Sequence, residues 1–203
     1  MRAGVILVLL LAIRMAPGAT SQPASGPADR EIVTLVLGGR QEDHPLRWQP
    51  LGPGSRQAVA SLFQEMGVVV RSPDGHEFAL PAFNFFANTM ERRVWRAAVR
   101  PAWPLTTQRD LAERLRAQLA AWNIPLKENV RAFLAEMDRV GDEPADGWNT
   151  IQRCNVDPDE QTNFQIALRG TKPRGKEKGG WFVVFEISLR NPQREAYHPR
   201  ARE

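Results

Sequence analysis

The chain has 203 residues, a formal net charge of +4, 42% hydrophobic residues and one cysteine. This length suffices for one domain with an ordinary hydrophobic core. One cysteine excludes an internal disulfide, so stability has to come from packing. The near balance of 27 Lys and Arg against 23 Asp and Glu does not favour nucleic-acid binding, which normally shows a clear basic excess.

The first 21 residues have the order of features found in a secretory signal peptide. Arg2 makes the start basic, residues 5–13 form an unbroken apolar run, and residues 19–21 are small. The run is shorter than the about 20 residues that span a bilayer, so we expect cleavage near Gln22 and no remaining transmembrane anchor. The sequence therefore predicts a protein that is exported, either periplasmic or secreted.

The rest of the chain divides by composition. Residues 22–30 are rich in Pro, Ala, Ser and Gly and predict a flexible leader, residues 31–192 predict a single domain, and residues 193–203 form a polar tail. Loss of Arg2 and Arg14 with the signal peptide would leave 25 cationic against 23 acidic residues. The mature protein is thus expected to be close to neutral.

Periodicity predicts five elements and one turn in the first half of the domain. Ser55 is a good N-cap for a helix, and Ser72–Gly75 has the residues of a tight turn. The predicted elements are a strand at Ile32–Leu37 buried on both faces, a helix at Ser55–Met66, a strand at Val68–Val70 paired with one at Phe78–Phe86, and a strand at Val94–Val99.

The second half predicts a pair of helices followed by a hairpin. Thr107 and Asp110 resemble a capping box, residues 111–122 and 130–140 carry apolar stripes at helical spacing, and residues 123–125 break the chain between them. Alternation over residues 164–168 and 181–189 predicts the two strands of the hairpin. The expected fold is α+β, a mostly antiparallel sheet of about five strands covered by an amphipathic helical hairpin.

The loop over residues 170–180 is the most basic segment of the chain. Its cations are Lys172, Arg174, Lys176 and Lys178, with Glu177 as its one acid. Such a loop can capture anionic glycans or lipid headgroups by electrostatic attraction. The alternative is a solubilising tip that keeps the hairpin from pairing with other chains.

Three arginines recur at every fourth residue of a predicted strand. Arg92, Arg96 and Arg100 would share one face and form a row of cations about 13 Å apart. This spacing suits separate phosphates or carboxylates. The alternatives are a solvated sheet face, or ion pairs with Asp110 and Glu113 of the covering helix.

Aromatic residues give a second set of candidates. Trp48 and Trp148 lie in Pro- and Gly-rich loops and are candidates for exposed binding contacts. Aromatic residues are also dense between Phe78 and Trp103. These predict either a groove for a sugar or peptide, or core packing, which is the more common role.

The sequence predicts no cofactor and no metal site. Two acidic loops, at residues 142–146 and 157–160, have calcium-binding residue types without EF-hand spacing, and the three histidines are far apart. Cys154 has three interpretations: a buried apolar residue, an intermolecular disulfide or a catalytic thiol.

No motif of a known enzyme class is present. A small secreted hydrolase built around His44 or His76 stays an alternative, because catalytic triads assemble in space rather than in sequence. The leading hypothesis is a non-catalytic interaction protein of the envelope or the secreted fraction, acting as an accessory, inhibitor or immunity-type factor. Its expected partner is another exported protein, with anionic glycan or lipid binding as the alternative.

Overall fold

The computed structural model of the protein describes residues 31–145, 151–158, 160–172 and 179–190. Within these ranges the chain forms nine strands, two α-helices and one short 3-10 helix at Gln41–Asp43. The strands are β1 Ile32–Val36, β2 Gln49–Pro50, β3 Gln57–Leu62, β4 Met66–Arg71, β5 Glu77–Met90, β6 Arg93–Pro101, β7 Ile151–Asn155, β8 Thr162–Gly170 and β9 Trp181–Leu189. The helices are α1 Gln108–Ala121 and α2 Glu128–Val140.

All nine described strands belong to one mixed sheet. Its main path runs β1-β4-β5-β6-β9-β8-β7, and β3 pairs with both β2 and β5 beside that path. β1 is parallel to β4, whereas the other pairs are antiparallel. The tight turn at Ser72–Gly75 is confirmed: the Gly75 amide donates to the Ser72 carbonyl at 3.0 Å, and Gly75 has the positive φ of 87° that favours glycine.

β5 is the longest strand and organises the sheet. Its first half pairs with β4, and over residues 85–90 it lies between β3 and β6. The register against β6 shifts between Ala82 and Asn84 and again between Asn88 and Thr89. Such bulges bend a long strand and change the direction of individual side chains.

The predicted helical pair is confirmed. The Thr107 hydroxyl accepts a hydrogen bond from the Asp110 amide and so caps α1, and Asn123 with φ 54° turns the chain before α2. Gly141, with φ 64°, ends α2. α1 packs against α2 and β9, and α2 packs against β7, so the helices cover one face of the sheet.

The core between the two layers is centred on four aromatic rings. Phe78 of β5, Phe164 of β8 and Phe185 of β9 meet Trp122 at the end of α1, with centroid separations between 5.1 and 5.9 Å. The Trp122 indole N–H also donates to the carbonyl of Ala79 at 3.1 Å. The edge-to-face geometry adds stabilisation beyond area burial.

The prediction of a helix at Ser55–Met66 is wrong. This segment forms β3, a short connection and the start of β4. Buried Ala58 and Ala60 alternate with more exposed neighbours, a period of two that the larger apolar residues obscured. The Ser55 hydroxyl accepts from the amide of Gln57, two residues on, so it supports a turn instead of capping a helix.

The predicted α+β class with about five strands is therefore wrong. The described residues are mostly β, with nine strands and only two α-helices, and the sheet is mixed. β7 was also missed, because its surroundings look like acidic loops. β1 is buried on one face only: Val33 and Leu35 are buried, while Ile32 is 68% exposed.

Neither of the two described helices is long and apolar enough to cross a membrane. The predicted signal peptide, flexible leader and polar tail lie outside the described residues.

The aromatic core generates a stability prediction. Phe164 is fully buried, so Phe164→Ala is expected to lower the free energy of unfolding by about 3–5 kcal/mol through lost transfer energy and a cavity. Leu51→Ala, at a 58% exposed position, is the control and is expected to change it by less than about 0.5 kcal/mol. Chemical denaturation measures both, and equal changes in the two variants would contradict this account of the core.

Candidate functional site

One face of the sheet is turned away from both helices over β5, β6, β8 and β9. We call it the open face, because no other described element packs on it across these strands. It is identified by the register: Phe185 and Ile187 pack into the core, so their neighbours along β9 point the other way. The residues of the open face used below are Phe83, Phe86, Arg96, Arg100, Arg169, Phe182 and Glu186.

Arg100 lies against two phenyl rings on the open face. Its guanidinium carbon is 5.0 Å from the ring centroid of Phe83 and 4.4 Å from that of Phe182. Both are within the range of cation–π attraction. The Arg100 Nε atom is buried, and the Arg100 side chain forms no hydrogen bond or ion pair with any described residue.

Burial also affects the charge of this group. Desolvation lowers the pKa of Arg100 from its ordinary value. An arginine nevertheless stays protonated at neutral pH, because its guanidinium is so strongly basic. The open face therefore holds a half-buried positive charge that is stabilised by aromatic rings and by no carboxylate of the described residues.

A bulge in β5 brings one of these rings into position. Ala82 and Phe85 both point into the core, although a regular strand would place them on opposite faces. The register shift between Ala82 and Asn84 accommodates the extra residue. Phe83 is thereby kept on the open face, 46% exposed, where its ring meets Arg100.

Two other arginines of the open face share one carboxylate. Arg96 donates to Glu186 at 2.8 Å, and an Arg169 nitrogen lies 3.5 Å from the other oxygen of the same group. The Glu186 side chain is only 10% exposed, whereas those of Arg96 and Arg169 are 37% and 36% exposed. One acidic group thus faces two cations, and Arg100 adds a third.

Exposed phenyl groups continue the open face beyond the arginines. Phe86, on β5, pairs across to Ala98 of β6 and is 36% exposed. The ring of Phe63, 60% exposed, packs edge-on against Phe86 with a centroid separation of 5.3 Å. Together with Phe83, three of the six exposed large apolar side chains of the described residues therefore lie around this face.

The predicted arginine row is only partly assembled. Arg92, with φ 59°, lies in the turn before β6, and the bulge between Asn88 and Thr89 leaves Trp95 without a pairing partner. Arg96 and Arg100 do share the open face. The alternative ion pairs with the helix are not formed by Arg96, whose partner is Glu186 on β9.

The other predicted binding residues lie elsewhere or cannot be placed. Lys172 is exposed at the start of the basic loop, whereas Arg174, Lys176, Lys178 and Trp148 lie outside the described residues. Trp48 is half-buried against the core, with a buried indole nitrogen that has no hydrogen-bond partner among the described residues. It is therefore not the freely exposed contact that its loop position suggested.

Neither histidine is joined to a carboxylate within the described parts of the chain. His44 is buried, with Nδ1 3.3 Å from the Thr34 carbonyl oxygen, and the ring of His76 stacks near Phe78. Asp142 pairs with Arg109 at 3.6 Å, and Asp157 pairs with Arg190 at 3.1 Å. Among the described residues there is no group of three or more His, Cys, Asp or Glu that could hold a metal ion.

The sequence predicted part of the open face, namely Arg96, Arg100 and the aromatic segment that contains Phe83 and Phe86, but it did not predict Phe63, Arg169, Phe182 or Glu186. Phe182 and Glu186 lie on the outward side of β9, four residues apart. Phe63 directly follows β3, and Phe83 lies at the register shift of β5 against β6. One signal was available in the sequence, since an aromatic residue on the otherwise polar side of an alternating strand is unusual. The sequence alone could not show that Arg169 lies beside Glu186, because this depends on the register of β8 with β9.

The shared carboxylate generates a second stability prediction. Glu186→Gln is expected to lower the free energy of unfolding by about 1–2 kcal/mol, because it removes charged hydrogen bonds to two arginines that are about one-third exposed. Glu77→Gln is the matched control, since Glu77 forms an ion pair with Arg71 at 2.9 Å and is 49% exposed. Equal effects in thermal or chemical denaturation would show that Glu186 contributes no more than an ordinary surface pair.

The single cysteine generates a third prediction. Cys154 is buried on the core side of β7, and burial, followed by the charge of Asp157, raises the pKa of its thiol. We expect the folded protein to react slowly with a thiol-specific chromogenic reagent at pH 8, and rapidly once denaturant is added. Reaction at the same rate in both conditions would favour the catalytic or intermolecular interpretation of Cys154.

Comparison of the chain with protein-family models, with curated proteins and with solved structures found no match. Its function therefore has to be argued from the chemistry of the open face.

Proposed function

We propose that this chain is an exported, non-catalytic interaction protein that binds another exported protein through the open face. The observation that carries the proposal is the concentration of exposed phenyl groups there: Phe63, Phe83 and Phe86 are 60%, 46% and 36% exposed. Contiguous apolar side chains at a surface are typical of sites for partners. Export is inferred from the N-terminal sequence alone.

The composition of the face supports a protein partner. Aromatic residues and arginine are the residue types enriched in protein interfaces, and lysine and aspartate are depleted there. The open face, together with Phe63 beside it, combines four phenylalanines with three arginines and one nearly buried glutamate. A solubilising surface would carry exposed charges of both signs instead.

The pairing of β5 with its neighbours supports a preformed surface. The phenyl side chains of Phe83 and Phe86 are borne by a strand that is hydrogen-bonded on both edges around Phe86. Phe63 follows β3 directly and is held against Phe86. Because the backbone is already ordered, binding would require little loss of conformational entropy.

Site-specific photo-crosslinking tests the proposal. A photo-crosslinking residue at position 86 is expected to capture one stoichiometric partner from the envelope or secreted fraction of the native organism. The same residue at position 51, which is 58% exposed in the loop between β2 and β3, is the control and is expected not to capture it. Phe86→Ser should weaken binding of that partner about tenfold or more, as for a central interface residue.

Identical products at positions 51 and 86, or none at position 86, would contradict the proposal. Far-ultraviolet circular dichroism of each variant separates loss of binding from loss of folding.

A further inference from the structure

We propose that Arg100 is the anchoring residue of the open face and binds the carboxylate of an acidic side chain from the protein partner. The inference rests on the proposed function and specifies the chemistry of its partner. The site consists of Arg100 with the rings of Phe83 and Phe182, 5.0 and 4.4 Å from the guanidinium carbon.

The first argument is the difference between three arginines on one face. Arg96 and Arg169 both reach the carboxylate of Glu186, at 2.8 and 3.5 Å. Arg100 has no such partner among the described residues. A buried Nε without a hydrogen bond is common to Arg100 and Arg169, so the missing carboxylate is what sets Arg100 apart. A half-buried charged group without a hydrogen-bonded counter-ion is costly, so this arginine gains most from an incoming anion.

The second argument is the shape of the available donors. A guanidinium offers donors in a rigid planar fork that matches a carboxylate with two parallel hydrogen bonds. At Arg100 the two rings restrict the position of this fork, and the nitrogens at its end have no hydrogen bond to a described residue. Ordering an arginine before binding reduces the entropy lost when the pair forms.

The third argument favours a protein carboxylate over a membrane surface. Anionic membranes are recognised by clusters of roughly four to eight Lys or Arg residues. Among the described residues of the open face, Arg96, Arg169 and Arg100 against Glu186 leave an excess of two positive charges. This excess matches one or two acidic side chains, and the rings of Phe83 and Phe86 fit apolar residues beside them.

Nuclear magnetic resonance of the ¹⁵N-labelled protein provides the test. The Nε–H signal of Arg100 is expected to be displaced by the ring currents of Phe83 and Phe182, which identifies it. The probes are the peptide acetyl-Phe-Glu-Glu-Phe-amide and its uncharged counterpart acetyl-Phe-Gln-Gln-Phe-amide. We expect the acidic peptide to shift the Arg100 signal and neighbouring amides to saturation, and the uncharged peptide to bind about tenfold more weakly or worse, as for loss of charged hydrogen bonds.

Two arginine variants provide the matched comparison. Arg100→Lys keeps the charge but loses the planar fork. It is expected to lower the affinity for the acidic peptide about tenfold, as measured from the amide shifts. Arg131→Lys, at an exposed position of α2 on the helical side of the molecule, should leave its affinity unchanged. If Arg100→Lys does not fold, the difference in affinity between the two peptides for the unsubstituted protein still tests the carboxylate site.

Equal affinity for the two peptides, or an unchanged affinity in a folded Arg100→Lys variant, would overturn the carboxylate site. A response to phosphatidylglycerol vesicles but not to the acidic peptide would overturn it in favour of a lipid headgroup. These failures are distinguishable from failure of the proposed function. A partner crosslinked at position 86 would keep the interaction role even if the carboxylate site is wrong, whereas no crosslink would reject the role whatever the peptides do.

Discussion

Phe78, Phe164 and Phe185 lie on three different strands, and Trp122 ends α1 directly over them. This contact joins the helical layer to three strands of the sheet, β5, β9 and β8. The Trp122 indole N–H is satisfied by the carbonyl of Ala79, so the largest ring in the cluster is buried without an unpaired donor. Trp122 thus fixes the end of α1 to the sheet, while Leu111, Leu115 and Leu119 bury the rest of the helix against the core.

The two helices cover one face of the sheet, and no other described element covers the opposite face across β5, β6, β8 and β9. The two helices, of 14 and 13 residues, are each about 20 Å long. The strands of the sheet lie about 4.8 Å apart, so the sheet is wide, and the two helices cover it on one side only. A solvated face is normally polar at alternate positions, as at Glu186 and Ser188 of β9. Phe83, Phe86 and Phe182 are exceptions to that pattern, and they are the basis of the proposal that this face binds a partner.

Elements with a strong local signal could be predicted from the sequence. The helical pair, with its cap at Thr107 and its end at Gly141, and the hairpin of β8 and β9 were found because period and capping residues agree locally. β3 was mistaken for a helix because pairing of Ala60 with Ala87, 27 residues along the chain, decides its conformation. No local pattern contains that pairing. Arg96, Arg100 and the aromatic segment with Phe83 were candidates in the sequence, but their meeting on one face was missed for the same reason. The Arg100 site joins β5, β6 and β9 and depends on a bulge.

The three arginines of the open face differ in their counter-ions, and this difference gives a reason for an arginine at position 100. A half-buried position flanked by two rings would accept Leu or Met at no desolvation cost, so a guanidinium there is not explained by packing. Arg96 and Arg169 have an explanation, because each lies against Glu186 and holds β6 and β8 to β9 through their side chains. Among the described residues, the Arg100 guanidinium contacts only aromatic rings. Their attraction offsets part of the desolvation cost but provides no hydrogen-bond acceptor in the plane of the guanidinium. An incoming carboxylate would supply that acceptor, which makes the residue intelligible as part of a surface completed by a partner.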